Sequence, residues 1–348
     1  MDSNGISPDD LIEKSSSDDI DVVITWVDGS DPEHARRRAL AASTGPITAH
    51  SGDIRRWQDN DEISILLASL ARNARWVRRI WIVTDRQTPP LTSVNRSFAE
   101  RISIVDLTTI FRGYESLLPT FNSLSIEMML WRIPGLAEQF VYFNDDMFLS
   151  RRTRPEDFFI DGKPVLRGRM VDFSITPQSQ YWMNKENAAR AAGMIGSYFS
   201  DAHVAISMKR SVLRKHFDAN PEQLLLHAGP KFREDWQLGA TYLHSNICVR
   251  DGHYAKPRRR DWHTLSVRRC VYDSATVIQS ALRVYRDRKR VKLGCINDVE
   301  AASQKVPRLI DTLEHYLRLR YPKLHLLRTA PARLLRLWRT ARLKLRKA

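Results

Sequence analysis

Apolar residues recur along this chain in short runs, and several of the runs stop at acidic or turn-forming residues. Ile20 to Val27 is a β-rich run that closes on Asp28-Gly29-Ser30-Asp31, the composition of a strand entering a turn. Ile63, Leu66, Leu67, Leu70 and Ala74 follow at three- and four-residue spacings, which predicts an amphipathic helix. IWIVTD (80–85), ISIVDL (102–107) and FVYFNDD (140–146) read as further strands, with a helix expected from Ser123 to Trp131 between the last two. Strands that alternate with helices, several without polar alternation, predict a mostly parallel sheet covered on both faces. Residues 150–300 are less regular and richer in His, Arg and Trp. They are expected to form helices and loops that close over the sheet.

Three of the predicted strands end in acid: Asp28, Asp85, and the pair Asp145 and Asp146. Burying an unpaired carboxylate is costly, so the pair inside FVYFNDDMFLS needs a cation, a set of donors, or solvent. A solvated turn satisfies that need as well. In open α/β sheets, however, ligands bind beyond the carboxyl ends of the strands. Acids recurring at that end of several strands therefore predict one site.

At 348 residues the chain is long enough for a substantial core. No apolar run reaches the length of a membrane-spanning helix, and the polar, acidic start is unlike a signal peptide. Cys248, Cys270 and Cys295 lack metal-ligand spacing and read as reduced thiols of a cytoplasmic protein. The net charge is +15, and residues 315–348 hold eleven Lys or Arg and no acid. The rest of the chain is nearly balanced, which argues against a nucleic-acid-binding core. Three segments are expected: a disordered acidic tail over 1–18, a catalytic unit over 19–300, and a basic helical tail over 301–348. Leu334, Trp338, Ala341 and Leu345 share one face of that tail, with arginines mostly elsewhere. This is the pattern of a helix lying on an anionic membrane surface, here the inner face, and equally of a helix packed on its own domain.

Four blocks resemble the Stealth family of sugar-phosphate transferases: IDVVITWVDGSDP (20–32); residues 59–62 with WVRRIWIVTDRQTP (76–89) and 118–149; DAHVAIS (201–207) through FREDWQ (232–237); and CIND (295–298). The resemblance covers most of residues 20–300, with the blocks in family order. It implies a Rossmann-like α/β domain with a helical and irregular second half completing the cleft. It also implies an exopolysaccharide phosphotransferase that moves a sugar 1-phosphate from a nucleotide-sugar, typically a UDP-sugar, to a hydroxyl of a glycan or lipid-linked glycan, with release of UMP.

Under that resemblance Asp145 and Asp146 hold a divalent metal, Mg²⁺ or Mn²⁺, whose preference is for hard oxygen ligands. His203 is the general base, a role that suits imidazole near neutral pH. The family usually has Pro soon after this His, whereas Val204-Ala205-Ile206 follow here, so His216 and His227 remain alternatives. Arg233 would steady the phosphate, with Asp235 beside it and Glu127 near the acceptor or the metal. Asp28, Asn144, Arg86, Asn122 and Asn297 are candidates for binding substrate. Simpler readings stand beside these: a DGSD β-turn for Asp28, helix capping for Asn122, an ion pair within Arg233-Glu234-Asp235, and a surface position for Arg86. A metal-dependent glycosyltransferase and a non-catalytic basic module for anions or membranes are the competing functions.

Overall fold

The computed structural model describes residues 18–43, 62–91, 94–177, 179–266, 283–285 and 287–297. The basic tail, nearly all of the acidic N-terminal stretch, the boundary at residue 300, Cys270 and Asp298 lie outside the described residues.

In chain order the strands are β1 (Ile20–Thr25), β2 (Ile80–Thr84), β3 (Ile102–Asp106), β4 (Gln139–Asn144), β5 (Met147–Leu149), β6 (Phe159–Ile160), β7 (Lys163–Pro164), β8 (Gly168–Asp172), β9 (Ser197–Asp201), β10 (Ile206–Lys209), β11 (Trp262–Ser266) and β12 (Leu293–Asn297). The main sheet runs β10-β4-β1-β2-β3. Its four members β1 to β4 are mutually parallel, and β10 joins β4 antiparallel. The order β3-β2-β1-β4 is that of a doubly wound half-sheet, whose switch point, and hence its crevice, lies between β1 and β4. The expected mixed α/β fold with a mostly parallel sheet is the one observed.

Both faces of the sheet are covered. Val22, Ile24, Val141 and Phe143 pack on one side with Ile63, Leu66, Leu67 and Leu70 of the helix Glu62–Asn73. Each of those four helix side chains is fully buried, and burial of that kind stabilises by about 1.5–3 kcal/mol per side chain. Val23, Phe140 and Tyr142 face the other way, toward Phe111, Leu130, Leu213 and Leu243. Alternating residues of one strand thus feed two cores, which is why the strands carry little polar alternation.

Two local departures from the sequence expectation bear on the site. The helix foreseen over Ser123 to Trp131 runs only Ser123–Glu127, followed by a tighter turn over Leu130–Arg132. Pro134 disfavours helical geometry at the residue before it, and Ile133 is already extended at ψ 121°. The second half of the chain also contributes more than helices and loops. Among the described residues it supplies strands β6 to β12, and β12 sits between β11 and β5 in a separate sheet.

Candidate active site

Asn144 is the last residue of β4, and Asp145 and Asp146 form the turn into β5. Pairing of Met147 with Cys295 across β5 and β12 brings β12 alongside that turn, where the Ile296 amide donates to the Asp146 carbonyl at 3.1 Å. His203 comes from the loop joining β9 to β10. Val204 within that loop is fully buried, and Thr264 Oγ1 donates to the His203 carbonyl at 3.0 Å. These anchors carry His203 Nε2 to 3.2 Å from Asp146 Oδ2. The same oxygen accepts from Cys295 Sγ at 3.3 Å.

Asp146, His203 and Cys295 form a group able to hold a metal ion, each offering an atom within 4.8 Å of the others. Asp146 Oδ1 is buried and has no hydrogen-bond partner among the described residues, an orphaned oxygen of the sort a cation satisfies. Asp145 is half-buried next to it but does not belong to that group. Cys295, read from sequence as an ordinary reduced thiol, is a buried thiol that touches the central carboxylate. Its only sequence signal was membership of the block CIND.

A second cluster lies at the same end of the sheet. The Tyr142 hydroxyl is 2.6 Å from Asn144 Oδ1, 2.9 Å from Thr25 Oγ1 and 3.3 Å from Glu127 Oε1. Thr241 Oγ1 donates more weakly to Glu127 Oε2 at 3.4 Å. One phenolic proton cannot serve Asn144 and Glu127 equally, so Glu127 is poorly compensated for its burial. Burial pushes its carboxyl up to about 6, against the Arg233 charge, the Tyr142 and Thr241 hydrogen bonds and the His203 ring. Glu127, Arg233 and His203 thus act on one another electrostatically.

Arg233 donates to Ser123 Oγ at the start of the Ser123–Glu127 helix. Its loop is held by Asn122, whose amide donates to the carbonyls of Pro230 and Phe232 at 3.1 and 3.0 Å and to Gln237 Oε1 at 2.8 Å. The Asn122 oxygen caps the helix by accepting from the Leu124 amide. Asn122 is thus a buried clamp on the arginine loop, with its side-chain amide and oxygen engaged within the fold. Asp235 is exposed, and its carbonyl accepts from Asn187 Nδ2 at 2.9 Å. Its place is on the outer side of this loop, and among the described residues no hydrogen bond or ion pair joins it to the Asp146 group.

The remaining sequence candidates sit at the rim or elsewhere. Asp28 forms the expected turn, its Oδ1 accepting from the Ser30 amide at 3.0 Å, while Gln87 grips its backbone at both ends. Asp85 pairs with Arg37 at 2.5 Å, so the acids at the three strand ends do not form one cluster. Arg86 is exposed with φ 57°, its amide donating to Asp106 Oδ2. Asn297 ends β12 with Oδ1 buried and unpartnered among the described residues. His216 bonds Gln223 at 3.1 Å and His227 packs on Trp236, so of the three histidines considered it is His203 that meets Asp146.

Sequence reasoning missed a buried support behind His203. Lys185 is buried with Nζ on Ser200 Oγ at 3.0 Å and on the Asp201 carbonyl at 2.8 Å. The rings of Tyr181, Tyr242 and Trp182 lie 4.5, 4.9 and 5.3 Å from it, close enough for cation–π attraction. Burial pushes Asp201 up to about 7 despite Lys185 and the Ser245 hydrogen bond. A lysine in a polar helix gives no sign of such burial.

Comparison with known proteins places this arrangement. Stealth protein conserved region 1 matches residues 18–44 and conserved region 2 matches residues 56–165. The chain belongs to the Stealth family. Conserved region 2 carries Glu127, Asn144, Asp145 and Asp146; His203, Arg233 and Cys295 lie beyond it. The chain is 45% identical over 141 residues to exopolysaccharide phosphotransferase SCO6023 of Streptomyces coelicolor, covering 40% of this chain and 23% of that protein. It is 42% identical over 147 residues to exopolysaccharide phosphotransferase cps2G of Lactiplantibacillus plantarum, 42% of this chain and 41% of the relative. With exopolysaccharide phosphotransferase CpsY of Mycobacterium tuberculosis the match is 30% over 319 residues, 87% of this chain and 58% of the relative. This Stealth chain therefore spans less than two thirds of each of these curated relatives. Among solved structures, galactosyltransferase LgtC with donor and acceptor sugar analogs aligns at TM-score 0.40 and 11% identity, over 84% of this chain and 95% of that one.

Proposed function

We propose that this Stealth chain transfers a sugar 1-phosphate from a nucleotide-sugar, a UDP-sugar, to a glycan hydroxyl and releases UMP. The observation that carries the reading is the contact between Asp146 Oδ2 and His203 Nε2 at 3.2 Å, on a chain with both Stealth regions and relatives named exopolysaccharide phosphotransferases. With Nε2–H donated to the carboxylate, Nδ1 is the nitrogen that accepts the acceptor's proton. The logic is that of a base oriented by a carboxylate.

The acceptor oxygen attacks the β-phosphorus of the donor while His203 Nδ1 takes its proton. The bond between that phosphorus and the bridging oxygen breaks, and UMP leaves with the electron pair. The sugar's anomeric C–O bond is untouched, and a phosphodiester now joins sugar and acceptor. Arg233, steered by Ser123 and the Asn122 clamp, is positioned to neutralise charge on the phosphoryl oxygens. Glu127 sets the charge around Arg233 and His203 on the acceptor side.

Asp146 Oδ1, without a partner among the described residues, would hold a divalent ion, Mg²⁺ or Mn²⁺, with Asp145 as the neighbouring carboxylate and Asn144 beside the donor. An ion there would neutralise diphosphate charge. Hard cations of this kind are commonly held by one or two carboxylates plus substrate phosphates. His203 and Cys295 both engage Oδ2, which leaves Oδ1 as the oxygen for the ion.

The test separates UMP from UDP by chromatography after incubation with a panel of UDP-sugars and glycan acceptors. UMP, lost in His203→Ala, is the expected product. UDP would identify glycosyl transfer and overturn the reading.

A further inference from the structure

A cavity of about 520 Å³ opens at the other end of the β5–β12 pair, lined by Arg75, Trp76, Arg152, Thr153, Arg154, Pro155 and Lys292. Its size is that of a small-ligand site. The Asp146 turn precedes β5, whereas Ser150 just after β5 bonds Lys292 just before β12. One pair of strands therefore carries the candidate active site at one end and this cavity at the other. Thr153 is seven steps along the chain from Asp146, so the two lie at most about 25 Å apart by chain reach.

The cavity's charge is unbalanced. Lys292 pairs with Asp157 at 2.5 Å. Arg75, Arg152 and Arg154 are exposed, and among the described residues their guanidinium groups have no carboxylate partner. The wall between them is fixed rather than loose. Asn73 Nδ2 donates to the Leu149 carbonyl at 2.7 Å, the Thr153 amide to the Asn73 carbonyl at 2.8 Å, and Trp76 Nε1 to Thr153 Oγ1 at 3.2 Å. The Trp76 ring is backed by Phe158 at 5.4 Å. Arginine forks recognise phosphate oxygens two at a time, and a partly exposed indole offers an apolar face.

We propose that this cavity is a second binding site, for a phosphodiester group of the glycan, with Arg75, Arg152 and Arg154 on the phosphate and Trp76 against the adjoining sugar. The inference rests on the proposed function, because transfer of a sugar 1-phosphate leaves a phosphodiester on the acceptor. The product then carries the anion that this cavity suits. Holding it there would keep a glycan chain on the protein while its end lies at His203.

The test is equilibrium binding to the full chain of three probes: a phosphodiester-linked disaccharide, its neutral glycosidically linked counterpart, and vesicles of phosphatidylcholine with phosphatidylglycerol. The phosphodiester should bind, the neutral disaccharide should bind at least about tenfold more weakly, and Arg152→Ala/Arg154→Ala should lose about tenfold or more for the phosphodiester. Both arginines are exposed, so thermal unfolding of the variant should match the parent, and Arg152→Lys/Arg154→Lys should recover part of the loss. His203→Ala should bind as the parent does. Equal binding of the neutral disaccharide, vesicle binding without phosphodiester binding, no binding at all, or loss in His203→Ala but not in the arginine variant would each overturn the site. Binding as expected in a chain that turns over no nucleotide-sugar would uphold the site and reject the proposed function.

Discussion

Asp146 Oδ2 stands between two groups delivered from distant parts of the chain, 3.2 Å from His203 Nε2 and 3.3 Å from Cys295 Sγ. Its other oxygen is buried and, among the described residues, unpartnered. One carboxylate can therefore orient a base through one oxygen and meet a cation through the other. His203→Ala should lower turnover by about 10²–10⁴-fold, the usual worth of a positioned base, with little change in nucleotide-sugar affinity. Asp146→Asn should lower both. The double variant should be no slower than the worse single one, since residues acting as a unit are not additive. Steady-state kinetics with independent donor-binding titrations checks all three.

Glu127 and Asp201 should each contribute stability that is lost as pH rises from about 4 to 7, against the opposite contribution of His244, which burial pushes down to about 3. Burial raises Glu127 from 4.5 to about 6 and Asp201 from 3.8 to about 7. Between the lower and upper value of each, the folded chain holds a proton that the unfolded chain has released. Raising pH through that window therefore favours unfolding. For Glu127 the loss is about 2 kcal/mol at 1.36 kcal/mol per pKa unit. The groups facing it are Arg233, Tyr142, Thr241 and His203. Glu127→Gln should flatten the profile by that amount, read from urea midpoints at pH 4.5 and 7.5.

Asp21 is the structural counterpart of Asp146. It is fully buried in β1 and accepts from Arg78 Nε and Nη2, the Arg79 and Ala137 amides, and Trp81 Nε1, at 2.7–3.2 Å. Both oxygens are engaged. Asp21→Asn would turn a donor toward these donors and leave Arg78 with only the more distant Asp19 carboxylate at 4.0 Å, so it should destabilise by about 3–5 kcal/mol. Denaturant unfolding at pH 7 measures this.

Asn122 separates capping from clamping. Asn122→Asp keeps the oxygen that accepts from Leu124 but loses the donors to Pro230, Phe232 and Gln237. If the clamp dominates, Asn122→Asp should cost nearly as much stability as Asn122→Ala, about 1–3 kcal/mol. It should also lower turnover through Arg233. A stable, fully active Asn122→Asp would reduce the residue to a cap.

The sheet was legible because its strands feed two cores: Val22, Val23 and Ile24 are apolar in succession, and the helix of Ile63, Leu66, Leu67 and Leu70 carries a clean stripe. Asp145 and Asp146 drew attention because acids interrupt an apolar run. What could not be read was which acid is satisfied by what. Asp21, Asp28 and Asp85 look alike in sequence, yet one is a buried anchor, one shapes a turn, and one pairs with Arg37. Cys295 and Lys185 gained their surroundings from contacts more than a hundred and about fifteen residues away respectively. Their own neighbours in sequence carry no trace of those partners. His203 needed the family blocks, because an isolated histidine has no pattern.

The most direct test of the central claim follows the donor's β-phosphorus. The full chain is given a UDP-sugar carrying ³²P at that position and a glycan acceptor, and the label is located after separation of glycan from nucleotide. The account predicts label in the glycan and unlabelled UMP in solution, because the bond broken lies between the two phosphorus atoms. Label retained in UDP, with sugar alone on the glycan, would contradict it.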